Sequence, residues 1–217
     1  MKPRFSKKRN SGMTLFEVGV VIAVVMLLAL VLLSTFLGDK PKIQRINCVS
    51  NLNQVCLAFR IWEGDNGDIY PMGVSVTNGG SLELVATGNV LATFLIMSNQ
   101  LSTPKILHCP LDTGTNSSTW TGLASFNISY FVGVDATNEA NPQMMLSGDD
   151  NFEISGVPLK SDLLEVPTNT PISWTAARHK FAGNIGLCDD SVQQVNRDGL
   201  QKLLQQTGVA TNRLAIP

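Results

Sequence analysis

The 217-residue sequence has little of what most catalytic centres are built from. Histidine occurs only at His108 and His179. H-E-x-x-H, P-loop and Ser-His-Asp contexts are absent, so metalloprotease, nucleotide-phosphate and triad-hydrolase chemistry have no motif to rest on. The four cysteines, Cys48, Cys56, Cys109 and Cys188, form no C-x-x-C pair, which removes the usual mark of zinc ribbons and thioredoxin-like sites. There is no zinc-finger spacing, RNA-binding signature or basic stripe. Acids are missing from the first twelve residues, where Lys2, Arg4, Lys7, Lys8 and Arg9 give +5. Beyond them stand 11 basic residues (16 less 5) against 17 acidic ones. An acidic body argues against nucleic acid as a partner, because phosphate contacts dominate that kind of binding. Proline is absent throughout residues 13–37.

That proline-free stretch is almost entirely apolar, with Leu, Val, Ala and Met dominant. As a helix its 25 positions span roughly 37 Å, enough for about 30 Å of hydrocarbon. The basic residues before it predict a cytoplasmic N-terminus and a C-terminal body across the membrane. A cleaved secretory signal fits less well: the far end, "LLSTFLGDKPK", offers no small-x-small site. A plain signal anchor fits the length but leaves Glu17 unexplained. A carboxylate at the centre of a membrane helix costs about 2.5–3.5 kcal/mol on insertion scales, although near the end of the helix it can reach water.

The whole string "KKRNSGMTLFEVGVVIAVV" resembles the class III signal of type IV pilins and type II secretion pseudopilins. The resemblance implies cleavage by a prepilin peptidase between Gly12 and Met13, followed by N-methylation of Met13. Glu17 matches that family's acid five residues into the mature chain; Met13 stands where phenylalanine is more usual. Cleavage would create an α-amine with a reference pKa of about 7.7–8.0. A neighbouring subunit's Met13 amine is then a candidate partner for Glu17, as is the amine of the same chain, four residues away on one helix face.

Apolar residues continue at spacings of three and four past residue 40: Ile43, Ile46, Val49, Leu52, Val55, Phe59 and Trp62. The spacing predicts an amphipathic extension to about Trp62, with Pro41 kinking or interrupting it and "EGDNGD" ending it. Cys48 and Cys56 on such a helix lie about 12 Å apart along the axis, too far for a disulfide. A Cys109–Cys188 disulfide and buried free thiols both remain open. Residues 88–101 read as a helix capped by Asn89. "PKILHCP", "FNISYFVGVDA" and "TPISWTA" read as strands, and "QMMLSGDDNF" as a strand running into a polar turn. "GNIGLCDDSVQQV" reads as a hairpin turning at Asp189-Asp190-Ser191. "RDGLQKLLQQTG" reads as a helix with Leu200, Leu203 and Leu204 on one side and Gly208 as its stop.

Several pieces, among them "CVSNLNQVCLAFRIWEGDNGDIYP", "STPKILHCPLDT" and "RHKFAGNIGLCDDSVQQV", resemble the prepilin-type subfamily named for an H-X9-DG motif. His179 and Asp189 have the required nine residues between them; Asp190 replaces the glycine. In the residues' own terms, His179 anchors the hairpin through a hydrogen bond to backbone or carboxylate, since a transition-metal site needs three or four ligands and the spacing supplies few. Major pseudopilins bind calcium in a C-terminal loop, which makes Asp149, Asp150, Asp189 and Asp190 candidate ligands. Two adjacent carboxylates fall short of the six to eight oxygens calcium takes, and solvated turns explain them as well.

The expected architecture is α+β and pilin-like: a long N-terminal helix, half transmembrane and half amphipathic, packed on a small antiparallel-sheet domain. Its expected parts are a basic leader (1–12), a membrane and assembly helix (13–37), an amphipathic extension (38–63) and an extracytoplasmic domain (64–217). The expected role is a non-enzymatic filament subunit, without a cofactor unless calcium binds. Its partners would be the prepilin peptidase, other pilin or pseudopilin subunits in a homo- or hetero-polymer, and an inner-membrane assembly platform. The alternative is a signal-anchored extracytoplasmic binding domain that does not polymerise.

Overall fold

The computed structural model describes residues 12–37, 40–159 and 162–217, with residues 33–37, 40 and 41 described by backbone alone. Residues 1–11, which carry the basic leader, lie outside this set, as do Gly38 and Asp39. The chain divides into two compact units, the first ending at Lys42 and the second comprising Ile43–Pro217.

In the first unit, α1 (Leu15–Leu37) is helical without interruption. Its stretch Leu15–Leu32 is long and apolar enough to be a membrane anchor or a signal sequence, and none of it is buried. With no polar face, such a helix cannot be the amphipathic surface helix of a soluble domain.

The next helix, α2 (Lys40–Asp65), belongs to the second unit from Ile43 onward and takes Pro41 into its first turn, where the missing N–H would have had no helical partner. Proline therefore opens this helix rather than kinking it. Leu52, Val55, Phe59 and Trp62 are buried as the periodicity predicts, but the stripe begins at Cys48, and Ile43 and Ile46 are 54% and 60% exposed. At about 100° per residue, Ile43, Ile46, Leu57 and Ile61 share a face within about 60° of one another, opposite the buried one. All four are exposed, so the outer side of α2 carries apolar residues as well, interspersed with Asn47, Ser50, Asn53 and Gln54. The helix stops where Gly67 and Asp68 adopt positive φ.

Two short helices follow, α3 (Leu82–Val85) and α4 (Val90–Ile96). Asn89 caps α4 as expected, its Oδ1 accepting from Ala92 N–H at 3.1 Å. Residues 104–107 form a 3-10 turn, not the expected strand. Pro104 fits the first position of such a turn, and the Thr103 hydroxyl accepts from Lys105 N–H, a local bond that competes with strand pairing.

Among the described residues, nine strands and one more helix follow: β1 (Tyr130–Gly133), β2 (Met145–Asp149), β3 (Phe152–Ile154), β4 (Val157–Pro158), β5 (Asp162–Pro167), β6 (Ile172–Trp174), β7 (Ala182–Leu187), β8 (Val192–Asn196), α5 (Arg197–Gln206) and β9 (Thr211–Ile216). A six-stranded antiparallel sheet has the order β5-β9-β1-β2-β7-β8; β4, β3 and β6 form a second, smaller sheet. The large sheet is covered on both faces. Tyr130, Val132 and Leu146 join the core that includes Leu52 and Phe59 of α2, while Phe131, Met145 and Ile185 join the core that includes Leu200, Leu203 and Leu204 of α5. Burial along β1 and β2 is accordingly continuous rather than alternating.

The α+β expectation agrees with this arrangement. The expected polar turn at Asp149-Asp150 does not: Asp149 ends β2 fully buried. Gly208 has φ +76 just beyond α5, as a helix stop requires.

Candidate functional site

Two places gather the residues singled out above. The first is the start of α1. Gly12 and Met13 are exposed, and no heavy atom lies within 4 Å of where a Cβ on Gly12 would sit. Glu17 Oε2 accepts from Thr14 N–H at 2.7 Å and from the Thr14 hydroxyl at 3.0 Å, while Glu17 N–H donates to Thr14 Oγ1 at 3.3 Å. This is a reciprocal capping box, and "TLFE" is its sequence signature. Glu17 thus has a partner inside its own chain, one that the reading centred on the membrane charge overlooked.

The second place is buried in the globular unit, where β2, β7 and α2 meet. Glycine on β7 allows that approach. A Cβ on Gly186 would lie 2.2 Å from Cys56 Sγ of α2, whereas Gly183 gives room on the other core to the Trp174 ring of β6, 2.4 Å from where its Cβ would sit. Side chains of α2 therefore reach the sheet. Cys48 from α2, Cys109 from the segment after the 3-10 turn, Asp149 from the end of β2 and His179 from the loop before β7 bring their ligand atoms within 4.8 Å of one another. The two thiols and Asp149 are 0% exposed, His179 3%.

Cys109 Sγ is 3.3 Å from His179 Nε2, which is 3.3 Å from Asp149 Oδ2. Cys48 Sγ is 3.5 Å from Asp149 Oδ1 and 3.4 Å from the Tyr130 hydroxyl. Asn184 donates to Asp149 Oδ2 twice, from its backbone N–H at 2.7 Å and from Nδ2 at 2.9 Å; Nδ2 also lies 3.4 Å from His179 Nε2. Asn184 Oδ1 and His179 Nδ1 are buried without a hydrogen-bond partner in the structure.

Electrostatically, the two thiols divide one proton unequally. A hydrogen bond from Cys48, helped by His179, outweighs burial and brings Cys109 down to about 6. That same bond to Cys109, together with burial and the Asp149 charge, drives Cys48 strongly upward. Burial works against the His179 charge, but Asp149 and Cys109 outweigh it and raise the imidazole to about 9. A thiolate beside an imidazolium is a nucleophile's arrangement, yet Cys109 has no exposed surface through which a substrate could reach it.

His179, Lys180 and Phe181 have φ of +51, +53 and +61. Left-handed backbone costs a residue with a Cβ about 1–2 kcal/mol, so the loop is held against its own preference. Arg45 of α2 clasps it, donating to the His179 carbonyl oxygen at 2.7 Å.

The expected carboxylate contact of His179 is present, to Asp149. The four acids weighed for calcium are distributed differently from that expectation. Asp150 pairs with Arg178, which also reaches Asp112 at 3.4 Å. Burial opposes the Arg178 charge, and Asp150, Asp112 and Asp149 more than restore it. Asp189 and Asp190 sit at the far end of β7. There Asp189 Oδ1 accepts from Ser191 N–H and hydroxyl at 3.0 and 2.6 Å, and Asp190 lies 3.6 Å from Arg60. Asp190 has φ +64, the left-handed position of a three-residue hairpin loop where glycine is favoured. The hairpin forms there with aspartate.

All four cysteines are free and buried, so the Cys109–Cys188 disulfide is not formed. Cys109 faces His179, whereas Cys188 follows β7 at the hairpin end, where its carbonyl accepts from the Tyr70 hydroxyl at 3.4 Å. Compared with protein-family models, curated proteins and solved structures, the chain matches none.

Proposed function

We propose that the chain is a pilin-like structural subunit, not an enzyme. A prepilin peptidase would cut between Gly12 and Met13 and methylate Met13, and the α1 helices would then pack into a type II secretion pseudopilus or a type IV pilus-like filament. Before assembly the subunit would be a single-pass inner-membrane protein with its body in the periplasm, delivered to other subunits through an assembly platform. One observation carries this reading: an exposed apolar helix, opened by Gly12 and Glu17, is followed in sequence by α2, whose outer face still shows Ile43, Ile46, Leu57 and Ile61. Exposed apolar surface of that extent marks contact with lipid or protein, and in a filament neighbouring helices replace the lipid.

The capping box supports a second reading, a membrane-anchored binding domain that does not polymerise. There Glu17 needs no neighbouring subunit, because Thr14 already satisfies it. Mass spectrometry of the protein from its native cells separates the two. A chain beginning at N-methyl-Met13 is the expected result. An intact Met1, or a cut beyond residue 30, sinks the subunit reading.

A further inference from the structure

Four buried side chains from four separate segments converge on one point, and the geometry points to a closed transition-metal site in which Cys48, Cys109, Asp149 and His179 bind one zinc-class divalent ion. The separations are those of ligands around an ion. With bonds of about 2.0–2.1 Å to nitrogen and oxygen and about 2.3 Å to sulfur, the edges of a tetrahedron come to about 3.3 Å between nitrogen and oxygen, about 3.5 Å between sulfur and either of them and about 3.8 Å between two sulfurs. The observed separations are 3.3 Å from His179 Nε2 to Asp149 Oδ2, 3.3 Å from Cys109 Sγ to His179 Nε2 and 3.5 Å from Cys48 Sγ to the other Asp149 oxygen, Oδ1, and the four ligand atoms all lie within 4.8 Å of one another.

Hydrogen bonding accounts for these distances less well. A charge-assisted bond between imidazolium and carboxylate contracts to about 2.7–2.9 Å, shorter than the 3.3 Å of this buried pair. Nε2 carries a single in-plane hydrogen or lone pair, yet it faces Cys109 Sγ, Asp149 Oδ2 and Asn184 Nδ2 at 3.3, 3.3 and 3.4 Å. One proton serves one of them well; an ion at the shared centre serves all the ligands. Binding the ion takes the ligands as two thiolates and a carboxylate, three negative charges away from water of which a divalent cation offsets two.

The donor set selects the ion. Two thiolates, one imidazole and one carboxylate suit zinc and its neighbours; calcium would find one carboxylate where it takes six to eight oxygens. Four protein ligands without solvent exposure leave no open position for a reacting water, so the site is structural. Asn184, donating twice to Asp149, orients that ligand from outside, and the strained backbone at His179 is held in the ligating conformation.

The experiment is metal analysis of the full chain, purified in detergent without chelator, alongside thiol counting by mass spectrometry. One zinc per chain is expected, released when a mercurial blocks the thiols. Cobalt in its place should give tetrahedral visible bands and a sulfur-to-cobalt charge-transfer band in the near ultraviolet. Cys109→Ser should cut retained zinc at least tenfold, and Asn184→Ala should weaken affinity about tenfold, in line with losses at outer-shell partners. Cys188→Ala should leave the cobalt spectrum unchanged. Should the variants fail to fold, the wild-type cobalt spectrum still decides. A native chain with four free thiols that takes up neither zinc nor cobalt overturns the site. So does a Cys48–Cys109 disulfide in the native protein, or a cobalt spectrum that loses its sulfur band in Cys188→Ala.

Discussion

Gly186→Ala tests how closely α2 is seated on the sheet. The added methyl would lie 2.2 Å from Cys56 Sγ, while the next atoms, Ser147 O and Leu52 Cγ, stand at ordinary distances of 3.5 and 3.8 Å. The whole conflict is with one sulfur. Forcing a methyl into that gap should cost about 3 kcal/mol, the upper end of the overpacking range. At about 2–4 °C per kcal/mol for a domain of this size, the melting temperature should fall by roughly 6–12 °C. Cys56→Ala alone, which removes one buried heavy atom from a side chain, should cost about 1 kcal/mol. In the double variant the methyl added at Gly186 occupies the space of the missing sulfur, so the pair should stay within about 1 kcal/mol of wild type. The coupling would then be at least about 3 kcal/mol, at or above the top of the range for residues in contact. Urea unfolding in detergent, followed by fluorescence of the buried Trp62 and Trp174, measures all four corners of the cycle. If the two single costs simply add, the close approach of α2 to β7 at this point is wrong.

Three further outcomes follow from named contacts. Asp190→Gly should stabilise the β7–β8 hairpin by about 1 kcal/mol, because glycine adopts φ +64 without strain; an unchanged or lowered urea midpoint contradicts this. Burial raises Asp112, but Arg178, the Ser129 hydroxyl and the Gly114 N–H outweigh it and leave the carboxyl lowered. Its folded pKa lies below the unfolded value of about 3.9, so its contribution is complete above that value and lost as pH falls through the folded one. Asp112→Asn should therefore lose about 1 kcal/mol at pH 7 and progressively less as pH falls below about 3.9, and parallel stability-versus-pH curves for variant and wild type would refute it. Chelator should lower the melting temperature, and zinc should restore it where calcium does not; restoration by calcium alone would return attention to the acidic residues.

Much of the scaffold was legible because it is local. The apolar run at 13–37, the helix from Leu52 to Trp62, the Asn89 cap and the hairpin at Asp189 each announce themselves through spacing or turn chemistry. The strand read into "PKILHCP" failed because Thr103 and Pro104 favour a tight turn over an extended run. β9 carries too mixed a pattern, "TNRLAI", to suggest the inner strand it becomes between β5 and β1. The Thr14–Glu17 box was readable from "TLFE" and was overshadowed by the cost of a charge in lipid. The buried cluster was not readable: its members stand at 48, 109, 149 and 179, and only the sheet brings them together. Nine residues between His179 and Asp189 reflect the length of β7, which separates two unrelated environments rather than joining one site.

The wide spacing of that cluster also has a consequence in time. Synthesis delivers Cys48 and Cys109 long before Asp149 and His179, and contacts so far apart in sequence close late. Until β2 and the loop before β7 are in place, the two thiols have each other but not their other neighbours. In an oxidising compartment, folding would then be a race between oxidation of an early pair and completion of a late quartet. The speed with which the C-terminal half of the sheet assembles decides which the chain keeps.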